Sequence, residues 1–508
     1  MPRLLRLSTC SVFALGIASG PAFADLTAQQ VWDGLNSAMQ GFGYSVSATE
    51  TAAADGLDVT DVVMRVTDPE ENSTVSVQME AIDLVENDDG SVSMVFPRSM
   101  PIRIEAAPED EDAVNMTLDY ANDGLEIVVS GDPGAMTYRY SANQLAVSLT
   151  ELIVNGEELG REAARFDFVL DDVSGSTTTE TSDGITITQD VQTRTASYDL
   201  AFNDPESEDA ALLSGSMQAL SVASAATLPE GFDPSDAQSL MSGGFSASGT
   251  LGYEDGQSQF AATDDSGTTS GTTRTGAVQL EFDMDTTAVR YDVSATDQAV
   301  TLSGPDMPVP VDVSMAESSF NIRLPIAESE TPQDMAFGLN LRGFEMSDLL
   351  WNIFDPGAAL PRDPATIALD LTGKVTPSVN LFDPTAMARI EATGQPPGEL
   401  NSLTLNDLTV EAAGAKLEGS GSFTFDNDDL QTFGGFPRPT GNVDLTINGA
   451  NTLIDKLIGM GLLTSEDAMG ARMMMSMFAV PGEGADSLKS SLTINEQGHV
   501  LANGMRIQ

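Results

Sequence analysis

Apolar and polar residues alternate along most of this 508-residue chain in short runs broken by Gly, Asp, Asn or Pro. That period of two is the mark of half-exposed antiparallel strands. Val75, Val77 and Met79 show it, as do Val92, Met94 and Phe96, and Val114, Met116, Leu118 and Tyr120. It continues through Leu125, Ile127 and Val129, Leu145, Val147 and Leu149, and Phe166, Phe168 and Leu170. Beyond them lie Leu280, Phe282 and Met284, Leu403 and Leu405, and Phe423 and Phe425. Asp89-Gly90, Asp123-Gly124, Asn155-Gly156 and Asp183-Gly184 supply residues that favour the left-handed backbone of tight hairpins. The pattern predicts a meander of short strands.

Helices are few and well signalled. Thr27 and Gln30 form a capping box for a helix to Gly41, with Val31, Leu35, Ala38, Met39 and Phe42 on one face. Asp233-Pro234 and Asp383-Pro384 each place a capping Asp before a Pro at the first turn, where no amide hydrogen is needed. Further helices are predicted over 347–354, 452–460 and 465–478, the last containing Met473, Met474, Met475 and Met477.

Ser174 to Gly184 and Asp264 to Gly276 are Ser/Thr/Gly/Asp tracts too poor in apolar residues to offset ordering entropy, and read as flexible hairpin tips or linkers. Leu228 to Gly244 is a second mobile candidate and marks a provisional boundary between halves 25–235 and 236–508. An imperfect repeat joins Leu339 to Gly343 and Leu445 to Gly449, each a strand and glycine turn leading into an apolar helix.

The N-terminus changes the picture. MPRLLR, an apolar stretch from Leu7 to Ala18, and Ala22 and Ala24 before Asp25 read as a signal peptide, residues 1–24, cleaved on export to a bacterial periplasm. The stretch falls short of the roughly 20 residues that span a bilayer. No later segment approaches that length, so no retained transmembrane segment is expected. Cys10, the one cysteine, lies within the signal and precedes most of its apolar stretch, which argues against lipidation. Loss of Arg3 and Arg6 leaves 77 acids against 20 bases, a formal charge of −57. Lysine occurs only at 374, 416, 456 and 489. Such a field repels nucleic acid and anionic lipid, and suits solubility in salt better than a specific cationic partner. Without disulfides, stability is expected to come from burial.

Chemistry is sparse. Composition excludes a thiol nucleophile, a Cys-bound metal and a redox pair in the exported chain. The single histidine, His499, sits in a hairpin-turn context and reads as an exposed turn residue. No Gly-x-Ser-x-Gly elbow occurs, and Ser487 and Lys489 read as a loop entering a strand. Carboxylate pairs are too numerous to be specific, and Trp32 and Trp351, on apolar helix faces, read as core and not as sugar platforms. Acidic turns at Glu86 to Gly90, Pro108 to Asp112 and Asp426 to Asp429 offer oxygen ligands for calcium, but none keeps an EF-hand spacing. Solvated turns explain them better. Gly419-Ser-Gly421 lies within an apparent strand pair, so it is no phosphate loop.

What remains is hydrophobic. A large sheet with one apolar face and 23 methionines either closes as a core or leaves a groove for an acyl chain. The candidate ligand wall is Leu453, Leu457, Met473 and Met477. The core reading of the methionine stripe competes with it and is the commoner one.

The run Leu403-Thr-Leu405-Asn-Asp-Leu408-Thr-Val410, continuing through Gly414, Lys416, Gly419 and Gly421 to Phe423-Thr-Phe425-Asp426 and then Thr440 to Gly449, resembles the alphaproteobacterial domain-of-unknown-function family 2125. Its cadence also resembles the C-terminal region of AsmA-type envelope proteins. The first resemblance implies an exported, β-rich envelope protein and carries over no catalytic residue. The second implies a long curved sheet linked to outer-membrane assembly or lipid traffic, although this chain departs from it in keeping no membrane anchor.

The sequence therefore predicts a mainly β (α+β) protein, an extended, curved antiparallel sheet with a few amphipathic helices packed on one face. The expected role is non-enzymatic and periplasmic, without cofactor, serving the envelope and binding a lipid or other hydrophobic ligand. A structural or protein-binding module is the alternative, and a carboxylate- or metal-dependent hydrolase stands third. A membrane barrel fits poorly, given the interspersed helices and the 6% aromatic content.

Overall fold

The computed structural model describes residues 25–41, 43–68, 73–107, 113–181, 184–205, 207–230 and 244–508. The signal sequence, Phe42, the acidic turn from Pro108 to Asp112 and the helix expected at Asp233-Pro234 lie outside them, as does the 235/236 boundary. After α1 (Ala28–Gly41) come β1 (Ser45–Ala53), β2 (Gly56–Asp68), β3 (Ser73–Glu86), β4 (Val92–Val95), β5 (Ser99–Ala107), β6 (Val114–Asp123), β7 (Glu126–Asp132), β8 (Ala135–Val154) and β9 (Glu157–Leu159). There follow β10 (Ala164–Glu180), β11 (Ile185–Asn203), β12 (Ala210–Leu228), β13 (Ser246–Asp264), β14 (Gly267–Asp285), β15 (Ala288–Ser303), β16 (Val311–Pro325) and β17 (Gln333–Met346). The remainder is α2 (Asp348–Phe354), β18 (Ala365–Pro377), α3 (Pro384–Thr393), β19 (Gly398–Ala412), β20 (Ala415–Asp426), β21 (Arg438–Asn448), α4 (Ala450–Gly459), α5 (Ser465–Phe478), β22 (Val480–Pro481), β23 (Ser487–Ile494), β24 (Val500–Ala502) and β25 (Met505–Arg506).

All 25 strands belong to one antiparallel sheet. From β10 to β21 each strand pairs with the next along the chain, so hairpin follows hairpin. The ladder crosses the segment between the expected halves, where Ala210–Leu228 pairs with Ser246–Asp264 from Ala210↔Thr263 to Thr227↔Ser246. At the β8–β9 turn Asn155 and Gly156 have φ of 53° and 84°, as a two-residue hairpin with both residues left-handed requires.

The strands are longer than the short runs predicted, because positions that read as breaks lie inside them. Between β8 and β17 the pairing lapses at one level in nine consecutive strands, at Asn143, Asp172, Arg194, Ala219, Asp255, Gly276, Asp297, Ala316 and Gly343. Five of these carry a left-handed backbone, with φ of 52° at Asp172, 49° at Ala219, 46° at Asp255, 49° at Asp297 and 68° at Gly343. A residue in that conformation leaves the ladder for one position and lets the strand bend, and Asp tolerates it better than most residues. The line divides the strands into two bands.

Most of the two Ser/Thr-rich tracts is paired strand, with Asp264 to Gly267 closing a hairpin. Residues 174–180 complete β10, paired on both sides, and 267–276 open β14. The sequence reading failed because threonine is β-branched and its hydroxyl bonds across strands. Thr137–Thr178 (3.3 Å), Ser258–Thr273 (2.6 Å) and Thr272–Thr301 (2.7 Å) are examples.

The principal core lies at the N-terminal end. Val31 and Trp32 of α1, 0% and 4% exposed, pack with Leu57, Val59, Leu84, Val92, Val129, Met136 and Tyr138. The capping box forms as predicted, with Thr27 N donating to Gln30 Oε1 (3.0 Å) and Gln30 N to Thr27 Oγ1 (3.2 Å). Trp32 Nε1 donates to Glu50 (2.9 Å), so the buried indole is satisfied. Burial raises the Tyr138 hydroxyl to about 12.

Glycines in the strands admit flattened rings. A Cβ on Gly271 would lie 2.4 Å from Thr301 O and 2.5 Å from Phe260 Cζ, whereas one on Gly249 would meet nothing closer than 3.5 Å. Gly271→Ala is expected to cost about 1–3 kcal/mol of unfolding free energy, and Gly249→Ala less than about 0.5 kcal/mol. Urea midpoints of the two variants compare them.

Candidate hydrophobic ligand face

Residues paired directly across an antiparallel ladder share a face, so register traces which side chains line up. One row runs Ile127, Tyr140, Gly175, Val191, Val222, Leu251 and Leu280, one residue per strand. It continues through Val293, Phe320, Leu339, Leu369, Leu408, Gly419 and Leu445. No polar side chain interrupts it from β7 to β21. At the usual strand spacing these fourteen strands extend roughly 60 Å. Its two glycines are filled from neighbouring strands, for a Cβ on Gly175 would meet the Tyr140 ring at 2.7 Å and one on Gly419 the Leu445 side chain at 2.5 Å.

A parallel row on the same face links Phe282, Tyr291, Ile322, Phe337, Leu371 and Leu405. Tyr291–Phe320 and Phe320–Phe337 ring centroids, 6.3 and 5.7 Å apart, tie the two rows together. Positions between them point to the other face and, apart from Gly338, are polar, including Glu281, Asp292, Asn321 and Asp370. Arg290, one strand position from Tyr291, bridges Asp292 (2.7 Å) and Glu281 (3.4 Å) there.

Every member of the first row is half-buried. A second layer of structure would bury such a face, yet β13 and β14 hold no buried residue at all. Across the line of lapsed pairing a second apolar row runs Phe166, Leu200, Leu213, Phe260, Gly271, Leu302 and Val311. Phe166 and Leu213 are exposed. A depression of about 600 Å³ is lined by their sequence neighbours Asp167, Asp199, Ser214, Gln259 and Thr272. Those groups largely satisfy one another, with Arg165 on Asp199 (2.7 Å), Arg161 on Asp167 (3.4 Å) and Gln259 on Ser214 (3.0 Å).

Of the residues expected to form a ligand wall, Leu453 and Leu457 of α4 are half-buried, while Met473 and Met477 of α5 are 62% and 56% exposed. The core reading of the methionine stripe fails, since Met469 and Met474 are also exposed. The reason is that α5 docks through another stripe, with Ala468 buried and Arg472 bonded to Asp455 (2.7 Å) and Asn451 (3.2 Å) of α4. Ser490 Oγ and Asn503 Nδ2 both donate to Phe478 O, fixing the end of α5 on the sheet.

The other singled-out residues have structural partners. His499 is half-buried in the β23–β24 turn, its amide donating to Asn495 Oδ1 (3.1 Å). Lys489 pairs with Glu483 (3.4 Å). In the first acidic turn Glu86 accepts from Ala28 N (2.9 Å) and Asp89 from Ser91, whose hydroxyl and amide hold the Asp89 carboxyl below its ordinary range. Asp426 and Asp429 clamp Arg438. Trp351 is half-buried beneath Arg362, whose Cζ lies 5.7 Å from the ring centroid. Gly419 and Gly421 lie within β20, as read. In the imperfect repeat, Gly343 is a bulge inside β17 whereas Gly449 caps α4. Among the described residues no three His, Cys, Asp or Glu side chains group as for a metal ion.

Most of the face was missed because β11, β12, β13, β15, β16 and β18 were not singled out and β17 was read only at Leu339 to Gly343. Their alternation at Phe320, Ile322 and Leu324, at Phe337, Leu339 and Leu341, and at Leu369 and Leu371 was the available signal.

Fold and face together define a β-rich protein with a long apolar sheet face. Residues 199–507 match the family described as "Uncharacterized protein conserved in bacteria (DUF2125)", and the chain belongs to that family. No curated protein and no solved structure is matched.

Asp486 secures α4 from 35 residues away, accepting from Thr452 N (2.7 Å), Thr452 Oγ1 (2.7 Å), Asn451 N (3.2 Å) and Asn451 Nδ2 (3.0 Å). Burial pushes its carboxyl up, but these donors outweigh it and hold the group below the ordinary range. Asp355, only 1% exposed, is lowered by the amides of Leu360 and Ala359. Asp486→Ala is expected to cost about 1–2 kcal/mol and to speed amide exchange over 450–478. Because both folded pKa values are depressed, these carboxylates contribute fully above about pH 4 and lose their contribution as pH falls through the folded values. Thermal melting between neutral and acid pH measures that fall, which should be smaller in Asp486→Ala.

Proposed function

We propose that the protein is a non-enzymatic cell-envelope protein, exported to the periplasm through its N-terminal signal, whose apolar row holds an acyl chain or similar hydrophobic ligand. The observation that carries this reading is the row of fourteen half-buried positions from Ile127 to Leu445, whose first member packs against the N-terminal core and whose middle crosses β13 and β14, where no residue is buried. Apolar surface of that extent is uncommon on a protein that meets only water. An acyl chain lying across the strands would remove it from solvent. Curvature about the row, which the mid-strand lapses allow, would make the face a groove.

The second reading is a protein-binding module of the envelope. It rests on β1, which among the described residues pairs only with β2 and exposes Thr49 to Ala52 along its length. An open edge of that kind accepts an added strand.

Native mass spectrometry with lipid extraction, on protein purified from periplasm without detergent, separates the two. A reproducible bound lipid that disappears in Phe320→Glu/Leu339→Glu, with the melting temperature of the variant retained, is the expected result. An apo mass together with a stoichiometric protein partner would replace the lipid reading with the second.

A further inference from the structure

The sheet end where β17 and β21 finish carries helices, and two of them, α2 and α5, expose apolar side chains. β17 and β21 run in the same direction, so α2 and the α4–α5 pair emerge at one end of the sheet. They are neighbours there. Lys456 of α4 lies close enough to Asp355, after α2, to help lower its pKa, and the β19–β20 turn at Gly414 faces Pro361. Leu349 and Ile353 of α2 are 55% and 59% exposed, and Met469, Met473 and Met477 repeat every fourth residue along the outer side of α5. Between Ala468 and Phe478 the only charge is Arg472, and it is turned inward onto Asp455.

We infer that this helical rim docks the protein on a lipid surface without net negative charge, the source from which the apolar row is loaded. The inference rests on the lipid reading above. Two physical arguments select the occupant. Exposed Leu, Ile and Met on short amphipathic helices enter the boundary between headgroups and acyl chains, and flexible Met side chains adapt to a fluid partner. The charge selects the headgroup, since a chain with 77 acids and four lysines repels anionic lipids and has no basic cluster to hold them.

Vesicle flotation tests it with the full exported protein. The protein should float with phosphatidylcholine vesicles and less with phosphatidylglycerol vesicles. Met473→Glu/Met477→Glu should reduce the floated fraction about tenfold, and Met473→Ser/Met477→Ser should reduce it less, both with unchanged melting temperature. Phe320→Glu/Leu339→Glu should float normally while losing bound lipid, which separates rim from row. Absence of flotation, equal flotation of the Met473→Glu/Met477→Glu variant, or preference for phosphatidylglycerol would overturn the rim. Retention of lipid by the Phe320→Glu/Leu339→Glu variant would instead overturn the row.

Discussion

The cross-strand backbone ladder is the interaction on which everything else rests. With no cysteine after Cys10 and a principal core confined to the N-terminal end, the middle of the molecule has little else to hold it. Burial was expected to supply stability, but β13 and β14 bury no side chain. Their amides and carbonyls are paired on both sides, and hydroxyl pairs such as Ser258–Thr273 supplement the ladder. Each strand thus depends on its neighbours, as in a repeat array where stability accumulates through adjacent interfaces.

Such a ladder has a consequence for the side chains. Register aligns one residue per strand, so a period-two pattern repeated in strand after strand becomes a continuous apolar row. The aspartates and glycines on the line from Asn143 to Gly343 interrupt the ladder without ending the strands. They allow strands of up to 20 residues to change course at one level while the sheet remains single.

The ends of the sheet are where polar chemistry concentrates. Carboxylates cap helices and turns there, Asp486 at α4, Asp383 at α3 and Glu86 at α1. Much of the acidity that looked like candidate metal or catalytic chemistry is spent on backbone amides and arginines. Of the helices at the end where β17 and β21 finish, α2 and α5 turn Leu349, Ile353, Met469, Met473 and Met477 outward, and these residues form the proposed rim.

The sequence by itself determined the period-two pattern, the Asn155-Gly156 hairpin and the caps of α1 and α3, because these depend on neighbours within a few residues. Thr27 with Gln30 and Asp383 with Pro384 formed as local rules require. Tertiary structure decided what depends on distant partners. Asp172, Asp255 and Asp297 looked like turn signals but sit inside long strands, since pairing on both sides outweighs one left-handed residue. The threonine tracts looked disordered until partner strands supplied their hydrogen bonds. Met473 and Met477 have the spacing of a buried stripe, yet the side of α5 that packs is fixed by Arg472 reaching Asp455, a contact that spacing alone does not reveal.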